Sequence, residues 1–327
     1  MSTFTIVGQG LAGTCLAWEL WKRKIPFQLI DRERGGSSRV AAGLINPITG
    51  KAYELSHQFP VFHESAMTFY EDLEDQLGLK FWHPMPILRL AATEKEWNKM
   101  QDKASVFEIA HWIVEHPTPM VSSEWEGRVV LRGGGRLDTK SFLDASREFF
   151  REKGCYQQGE VDITDTTPNT IWCEGAVGLM ADRYGEHRCA KGEILTVEAD
   201  WPENAIRIGT GGWLIPLGDK RFKVGATYEW DELDEEPTDE GRKKIEGIAA
   251  RLGGPEFTIV DHQAGIRPIL RRSQPLIGPI GNDQWMFNAL GSKGSLYAPG
   301  TAKQLADWIV DGQEADPYYD YRNFNAE

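Results

Sequence analysis

The first 31 residues impose a strand, a glycine turn, a helix and a second strand in immediate succession. Residues 3–7 are apolar and partly β-branched, which predicts a short buried strand. The glycines of the stretch 8–13 follow at once, and the apolar spacing of residues 11–24 predicts a helix. Residues 27–30 predict a second buried strand, which leads directly into Asp31. A chain that begins in this way is committed to a βαβ unit and therefore to the α/β class.

Each glycine of this turn has a physical role in binding a dinucleotide. Gly8 permits the sharp turn, Gly10 lets a pyrophosphate approach the backbone, and Gly13 lets the helix pack closely on the strand. The helix N-terminus adds free N–H groups and partial positive charge. Asp31 stands 18 residues after Gly13, where a carboxylate accepts hydrogen bonds from a ribose diol. The pattern predicts a dinucleotide site but leaves NAD and FAD both open, and an ordinary glycine-rich turn is the alternative.

A second segment of small residues, 34–43, directly follows this acid. Its serines, glycines and backbone N–H groups are suited to wrapping a long ligand. This favours FAD over NAD, although a plain connector has the same composition.

The charge and composition of the chain restrict the kinds of partner that it can bind. The chain of 327 residues has 36 Lys+Arg and 49 Asp+Glu, a net charge of −13 that opposes binding to nucleic acid or anionic lipid. The cysteines Cys15, Cys155, Cys173 and Cys189 lack the spacing of a disulfide framework or a zinc site, and the histidines lack metal-ligand spacing. Without a targeting segment or a long apolar run, we expect a cytoplasmic protein with reduced thiols and no membrane span or metal.

The rest of the chain mixes helical and strand-like patterns. Helices are predicted over residues 62–77, 139–153 and 298–310. Strand-like stretches, which suggest an antiparallel sheet inserted into the nucleotide domain, are residues 87–91, 192–198, 212–217 and 221–230. Seven acids among residues 231–240 predict a solvated loop.

The chain resembles the D-amino acid oxidase family of flavoproteins, which includes glycine oxidase, sarcosine oxidase and the flavin domain of a bifunctional tRNA wobble-uridine modification enzyme. The matching stretches, in family order, are TIVGQGLAGTCLAWEL with LIDRE, SSRVAAGLINPITGK, GGGRLDTKSFLDASREFFREKG, TIWCEGAVG, IPLGDKRFKVGATYEW, AGIRPILRRSQPLIGPI and ALGSKGSLYAPGTAKQLADWI. The resemblance implies an FAD-binding Rossmann-like domain of the glutathione-reductase type with an inserted antiparallel-sheet substrate domain. The implied bounds are 1–79, 134–192 and 262–327 for the first domain, and 80–133 and 193–261 for the second.

Carried over position by position, the resemblance also implies a set of residues that bind FAD without a covalent bond. They are Gly8, Gly10, Leu11, Ala12, Gly13, Asp31, Arg32, Ser37, Ser38, Ala41, Ala42, Gly43, Leu44, Val161, Gly175, Gly291, Ser292, Lys293, Gly294, Ser295 and Leu296. The last six form a turn before a helix, where N–H groups stabilise negative charge on the flavin.

The resemblance points to a smaller set of catalytic and substrate residues. Arg267 matches a family arginine that binds the substrate carboxylate, a task for which a guanidinium fork is suited, although such an arginine is often a surface ion pair. Lys293 and Lys51 are candidates for stabilising the reduced flavin or activating oxygen. Trp213 and Tyr228 are candidates for an aromatic substrate wall, with core packing as the alternative.

The function expected from these residues is FAD-dependent oxidation of a C–N bond in a small amine or amino acid. Hydride would pass to flavin N5, the imine would hydrolyse, and O2 would be the electron acceptor. One alternative is removal of an amine substituent on tRNA or another large substrate, for which Arg271 and Arg272 would supply positive charge. A non-catalytic flavin-binding protein is the other. The substrate, its stereochemistry and the oligomeric state are left open.

Overall fold

The structure is a computed structural model that describes residues 3–120, 124–162, 164–165, 167–270, 274–281 and 283–324. Its strands are β1 (Phe4–Val7), β2 (Phe27–Asp31), β3 (Leu44–Ile45), β4 (Ile48–Thr49), β5 (Glu54–Leu55), β6 (Trp82–Pro84), β7 (Ile87–Ala91), β8 (Ile113–Pro119), β9 (Gly127–Leu131), β10 (Gly135–Leu137), β11 (Tyr156–Gln158), β12 (Thr170–Trp172), β13 (Ala190–Glu198), β14 (Ile206–Gly209), β15 (Gly212–Gly218), β16 (Arg221–Gly225), β17 (Thr258–Arg267), β18 (Leu276–Gly281) and β19 (Gln284–Asn288). Its helices are α1 (Leu11–Lys22), α2 (Ser37–Val40), α3 (Phe59–Leu77), α4 (Glu94–Ala104), α5 (Phe107–Ala110), α6 (Thr139–Glu152), α7 (Ala176–Met180), α8 (Asp239–Leu252), α9 (Gly294–Asp311) and α10 (Tyr321–Phe324).

A six-stranded sheet in the order β11-β2-β1-β12-β19-β18 carries the glycine turn at its centre. The first five strands are parallel, and β18 pairs antiparallel to β19. Helix α1 is buried from Leu11 to Leu20 and packs against α9, which places two helix N-termini on one side of this sheet. The predicted βαβ unit is present with its expected strand, turn and helix.

An eight-stranded sheet in the order β17-β13-β16-β15-β14-β7-β9-β8 forms the second layer. Its neighbours pair antiparallel except for β14 and β7, which are parallel. Helix α8 packs on β13, β15 and β16 through buried apolar residues that include Ile245 and Leu252. A three-stranded sheet, β3-β10-β6, and the β4–β5 hairpin complete the strand pairing in the described residues. The residue bounds of the two domains stay a prediction.

Two predicted helices agree closely with the structure because their end signals are local. Helix α3 ends at Gly78, which has a φ of 63° and serves as a left-handed C-cap. Helix α6 begins after Asp138, whose side chain accepts a hydrogen bond from the N–H of Ser141 at 3.1 Å.

The last long helix begins four residues earlier than the prediction, at Gly294 rather than Ala298. Pro299 lacks an N–H group, so the carbonyl of Ser295 has no donor within the helix. The Tyr70 hydroxyl of α3 donates to that carbonyl at 2.8 Å. This contact from α3 supplies the donor that Pro299 lacks, so α9 continues across the proline. A prediction from the local sequence alone places Pro299 at the start of the helix.

The prediction of one strand over residues 221–230 is wrong beyond Gly225, where β16 ends. Strand β16 pairs antiparallel to β15, and Gly225 is paired with Trp213, the second residue of β15. Beyond Gly225, β15 therefore offers almost no further residues for β16 to pair with. The chain continues beside β13 through a single bridge between Lys191 and Glu229.

In the described part of the chain, none of the helices combines the length and apolarity that a membrane crossing requires.

Candidate active site

A cavity of about 1040 Å³ is lined by residues that belong to both large sheets. The predicted site residues that line it are Gly8, Gly10, Leu11, Ala12, Asp31, Arg32, Ser37, Ser38, Ala41, Ala42, Gly43, Leu44, Val161, Gly175, Trp213, Tyr228, Arg267, Gly291, Ser292, Lys293, Gly294, Ser295 and Leu296. Folding thus brings together residues from at least eight separate parts of the sequence, from Gly8 to Leu296, around one space.

The glycine turn forms one end of the cavity. A Cβ atom on Gly13 would lie 1.9 Å from the carbonyl oxygen of Gly8, so only glycine permits this approach of α1 to the turn. Gly8 itself has a φ of 103°, in the left-handed region. Helix α1 has no side-chain cap at Gly10, and Leu11 and Ala12 of its first turn line the cavity, where a helix N-terminus is suited to an anionic pyrophosphate. Gly13 packs behind the turn and does not line the cavity.

The acid at the end of β2 is held in place by the backbone. The Asp31 carboxylate accepts hydrogen bonds from the N–H groups of Gln9 and Glu33, each at 2.7 Å. The Ser38 hydroxyl accepts one from the N–H of Leu11 at 3.1 Å, which joins the second small-residue segment to the glycine turn. These contacts fit the adenosine and pyrophosphate end of FAD. Asp31, Leu11 and Ser38 were predicted, whereas Gln9 and Glu33 were not.

The N-terminus of α9 forms the far end of the cavity. The N–H of Gly291 donates to the carbonyl of Pro268 at 2.9 Å, which fixes the turn beside the end of β17. Lys293 occupies the N-cap position without a side-chain cap, and its Nζ donates to the hydroxyl of Thr49 at 3.2 Å. Burial lowers the pKa of Lys293. Among the described residues, no carboxylate lies within ion-pair distance of this ammonium group.

Arg267, at the end of β17, presents its guanidinium to the same cavity. It donates to the backbone carbonyls of Lys191 at 3.2 Å and Thr227 at 3.1 Å, and the Tyr228 ring lies 4.0 Å from its Cζ atom. Burial lowers the pKa of Arg267, while the electrostatic effect of Tyr228 raises it by a smaller amount. The described residues supply no acidic partner for this guanidinium, so the surface ion pair considered as its alternative is absent there.

The two aromatic candidates lie on the wall next to Arg267. Trp213 packs against Gly225, where a Cβ atom would lie 2.9 Å from its ring. Tyr228 is 44% exposed and stacks near Trp230, with ring centroids 5.2 Å apart. Neither ring is simply core packing, because both face the cavity.

The structure does not bring every predicted residue to this space. Lys51 lies exposed at the turn between β4 and β5 and does not line the cavity, because the two-stranded hairpin turns it outward, so its predicted catalytic role has no geometric support. Its neighbours Thr49 and Gly50 line the cavity instead. Arg271 and Arg272 fall outside the described residues.

The prediction of a simple solvated loop over residues 231–240 is wrong in part. Asp234 forms an ion pair with Lys191, whose side chain is only 2% exposed, and Glu235 accepts a hydrogen bond from the N–H of Gly36 at 2.8 Å. Asp239 already begins α8. Charge composition does not show these contacts, because a lysine in a strand gives no sign of which distant acid it meets.

Sequence reasoning also missed Lys223, in β16. Its Nζ donates to the carbonyls of Val40 and Ala41 at 3.0 and 3.1 Å, just where the second small-residue segment turns along the cavity. Burial lowers the pKa of Lys223. The signal available was a lysine at an inward position of an alternating strand.

The structure describes all four cysteines, and the predictions of non-covalent FAD and of no bound metal stay predictions. All four cysteines are free, and Cys173, beside Gly8, is buried with its pKa raised by desolvation. A buried neutral thiol is a poor nucleophile. No group of three potential metal ligands occurs in the part of the chain that the structure covers.

Gly192 offers a direct test of the arginine's position. A Cβ atom there would lie 2.1 Å from Nη2 of Arg267, so Gly192→Ala displaces the guanidinium without a backbone clash. We expect KM for a carboxylate-bearing amine to rise roughly 10- to 100-fold, since a shift of about 1 Å has effects of that size. Steady-state kinetics with flavin absorbance as a control for cofactor content would measure it. An unchanged KM would contradict the anchoring role.

A mainly parallel sheet entered through a glycine-rich turn, facing a second sheet across a long polar and apolar cavity, defines a dinucleotide-binding protein. Residues 3–308 match the family described as DAO, FAD dependent oxidoreductase, and the chain belongs to that family. FAD is therefore its cofactor, as predicted.

Individual proteins show the same relationship. The chain is 22% identical over 351 residues to the tRNA 5-methylaminomethyl-2-thiouridine biosynthesis bifunctional protein MnmC of Marinobacter nauticus, covering 93% of this chain and 55% of that protein. It thus spans about half the length of this curated relative. Among solved structures, glycine oxidase from Bacillus cereus has a TM-score of 0.79 at 17% identity, covering 96% of both chains. Iminodiacetate oxidase from Chelativorans sp. BNC1 has a TM-score of 0.78 at 17% identity, covering 98% of both. These likenesses confirm the predicted fold class.

Proposed function

We propose that this protein oxidises the Cα–N bond of a small amine that carries a carboxylate. The observation that carries the proposal is Arg267, a guanidinium that faces the cofactor cavity and has no acidic partner among the described residues. A buried charge without a counterion is costly to maintain, so a site of this kind is suited to an anionic ligand. The names of glycine oxidase and iminodiacetate oxidase, which have the same fold, support an amine with a carboxylate.

Bound FAD would supply the oxidising power by accepting the two electrons and two protons that leave the amine, and water would then convert the imine to a carbonyl compound and ammonia or a free amine. The residues of the chain then have three tasks. Arg267 holds the substrate carboxylate in a bidentate fork, and Tyr228 and Trp213 limit the position of the side chain. Helix α9 and Lys293 place positive charge where reduction adds negative charge. The electron acceptor that completes the cycle is proposed to be O2.

No general base is assigned to this cavity. The reactive form of the substrate is the neutral amine, so the work of the site is orientation and charge stabilisation. Two acids near the cavity already have partners: Asp31 accepts two backbone N–H groups, and Glu174 is bonded to Arg183 at 2.7 Å and to Tyr184 at 3.0 Å. Both lie with the nucleotide-binding elements, remote in sequence from Arg267.

A second candidate function is the removal of an amine substituent on tRNA, which the similarity to MnmC favours. The net charge of −13 weighs against it, because binding to a polyphosphate relies on Lys and Arg neutralising the phosphates. Both functions use the same oxidation and differ in the size of the substrate. A small-molecule screen therefore distinguishes them.

The test is an anaerobic visible spectrum of the purified protein before and after addition of glycine, sarcosine, proline and the D- and L-amino acids. We expect a flavin spectrum that one or more of these amines bleaches. If no small amine reduces the flavin but a tRNA with an alkylaminomethyl uridine does, the second candidate function would be supported in place of the first. A flavin that neither reduces would leave a non-catalytic flavin-binding protein.

A further inference from the structure

The cavity is lined by a second half-buried cation, Lys293, that the proposed function leaves without an anion in the oxidised enzyme. Arg267 is matched by one substrate carboxylate. Lys293 lines the same cavity, and the only polar contact of its Nζ among the described side chains is the neutral hydroxyl of Thr49 at 3.2 Å. The oxidised flavin ring is neutral, so it does not compensate this charge before turnover.

We propose that Lys293 and Arg267 together select a substrate with two acidic groups, an amino or imino dicarboxylic acid. The inference rests on the proposed function, because it assigns the substrate class of that same site. Arg267 holds the carboxylate beside the reacting carbon, and Lys293 holds the second carboxylate. Lys293 is here a specificity-determining residue, and its role toward the reduced cofactor is compatible with this one.

The backbone brings the two cations to neighbouring points. Pro268 directly follows Arg267, and its carbonyl accepts the N–H of Gly291, two residues before Lys293, at 2.9 Å. The end of β17 and the N-terminus of α9 are therefore in direct contact, and each presents its cation to one space.

The electrostatic surroundings contain nothing that would neutralise Lys293 from within the described chain. Its titratable neighbour is His57, whose pKa is lowered by burial and further by Lys293 itself. Asp316 acts on His57 but lies outside ion-pair distance of Lys293, and it accepts a hydrogen bond from Gln58 at 3.1 Å. Because two unneutralised cations line one buried space, a dianionic ligand gains from both, while a monoanion leaves one of them unpaired.

Binding of unreactive acids tests the proposal without turnover. Succinate and butyrate have the same carbon chain and differ in one carboxylate, and each is titrated into the holoenzyme while the flavin spectrum is followed. We expect succinate to bind at least about tenfold more tightly, a typical effect of one charge-assisted contact. Lys293→Met should abolish that preference, and Lys293→Arg should keep most of it. Lys95→Met, which removes an exposed lysine of α4, is the matched control and should change nothing.

Reduction of the flavin by aspartate and asparagine, in both stereochemical forms, supplies the second measurement. The acid and its amide have nearly the same shape, so their ratio of reduction rates at low concentration reports the second charge. We expect the acid to be preferred at least about tenfold in the wild type, and the ratio to fall toward one in Lys293→Met. A Lys293→Met variant that slows both substrates equally would overturn the proposal and assign the lysine to the cofactor alone.

The two possible failures are distinguishable. If glycine or sarcosine reduces the flavin but dicarboxylic acids neither bind nor react better, the amine oxidation stands and this inference fails. If no amine reduces the flavin, the proposed function fails. In that case, the succinate and butyrate titrations still report whether the two cations act as a dianion site.

Discussion

Replacing Arg267 with methionine should lower kcat/KM for a carboxylate-bearing amine by about 10²- to 10³-fold while the flavin stays bound. Truncating one member of a buried, hydrogen-bonded charge pair has effects of that size. Among the described residues, the guanidinium contacts backbone carbonyls and the Tyr228 ring but no acid, so its charge is available for a ligand. Anaerobic stopped-flow reduction of the flavin, over a range of substrate concentrations, measures the loss and assigns it to binding or to the rate of reduction.

Two observations would separate anchoring from a structural role of Arg267. Arg267→Lys retains the charge but loses the fork, so it should recover only part of the activity. The methionine variant should be as stable as the wild type or more stable, because it removes a buried charge that has no acidic partner among the described residues. A strongly destabilised methionine variant with unchanged kcat/KM would contradict the assignment.

Replacing Gly13 with alanine should yield a destabilised protein that purifies with little or no flavin. The added Cβ atom would lie 1.9 Å from the Gly8 carbonyl, and a backbone atom cannot rotate away as a side chain does. The helix must then move off the turn that positions the N–H groups of α1. We expect a loss of about 3 kcal/mol or more in the free energy of unfolding, at the upper end for overpacking. Thermal or urea unfolding and the flavin-to-protein absorbance ratio measure both effects.

The matched control for Gly13 is Gly247 in α8, which has nothing within 4 Å of the position of an added Cβ atom. Gly247→Ala should stabilise the protein by up to about 1 kcal/mol, because alanine favours a helix over glycine. It should also leave the flavin content unchanged. Equal flavin content in the Gly13 and Gly247 variants would show that the close approach at the turn is not needed for the cofactor.

The site could be predicted from sequence where its elements are local. The glycine turn and Asp31 depend on neighbours within one strand, turn and helix, and they line the cavity or support its wall. The start of α9 was predicted four residues too late, because the Tyr70 contact that lets the helix continue across Pro299 comes from a distant segment. Arg267 depended on a family motif, since its surroundings are contributed by distant strands. Lys51 was predicted from the matching stretch SSRVAAGLINPITGK, but in the turn between β4 and β5 its side chain is exposed, while Thr49 and Gly50 line the cavity.

The sequence by itself determined the α/β class, the βαβ unit and the dinucleotide character of the site, because turns, caps and hydrophobic periodicity act over a few residues. Only the tertiary structure decided which charges meet. It paired Lys191 with Asp234 and joined Lys223 to the carbonyls of Val40 and Ala41. It left Arg267 and Lys293 without acids in the described residues around one cavity. Electrostatic partners are set by distances between segments far apart in the chain, and no local pattern encodes those distances.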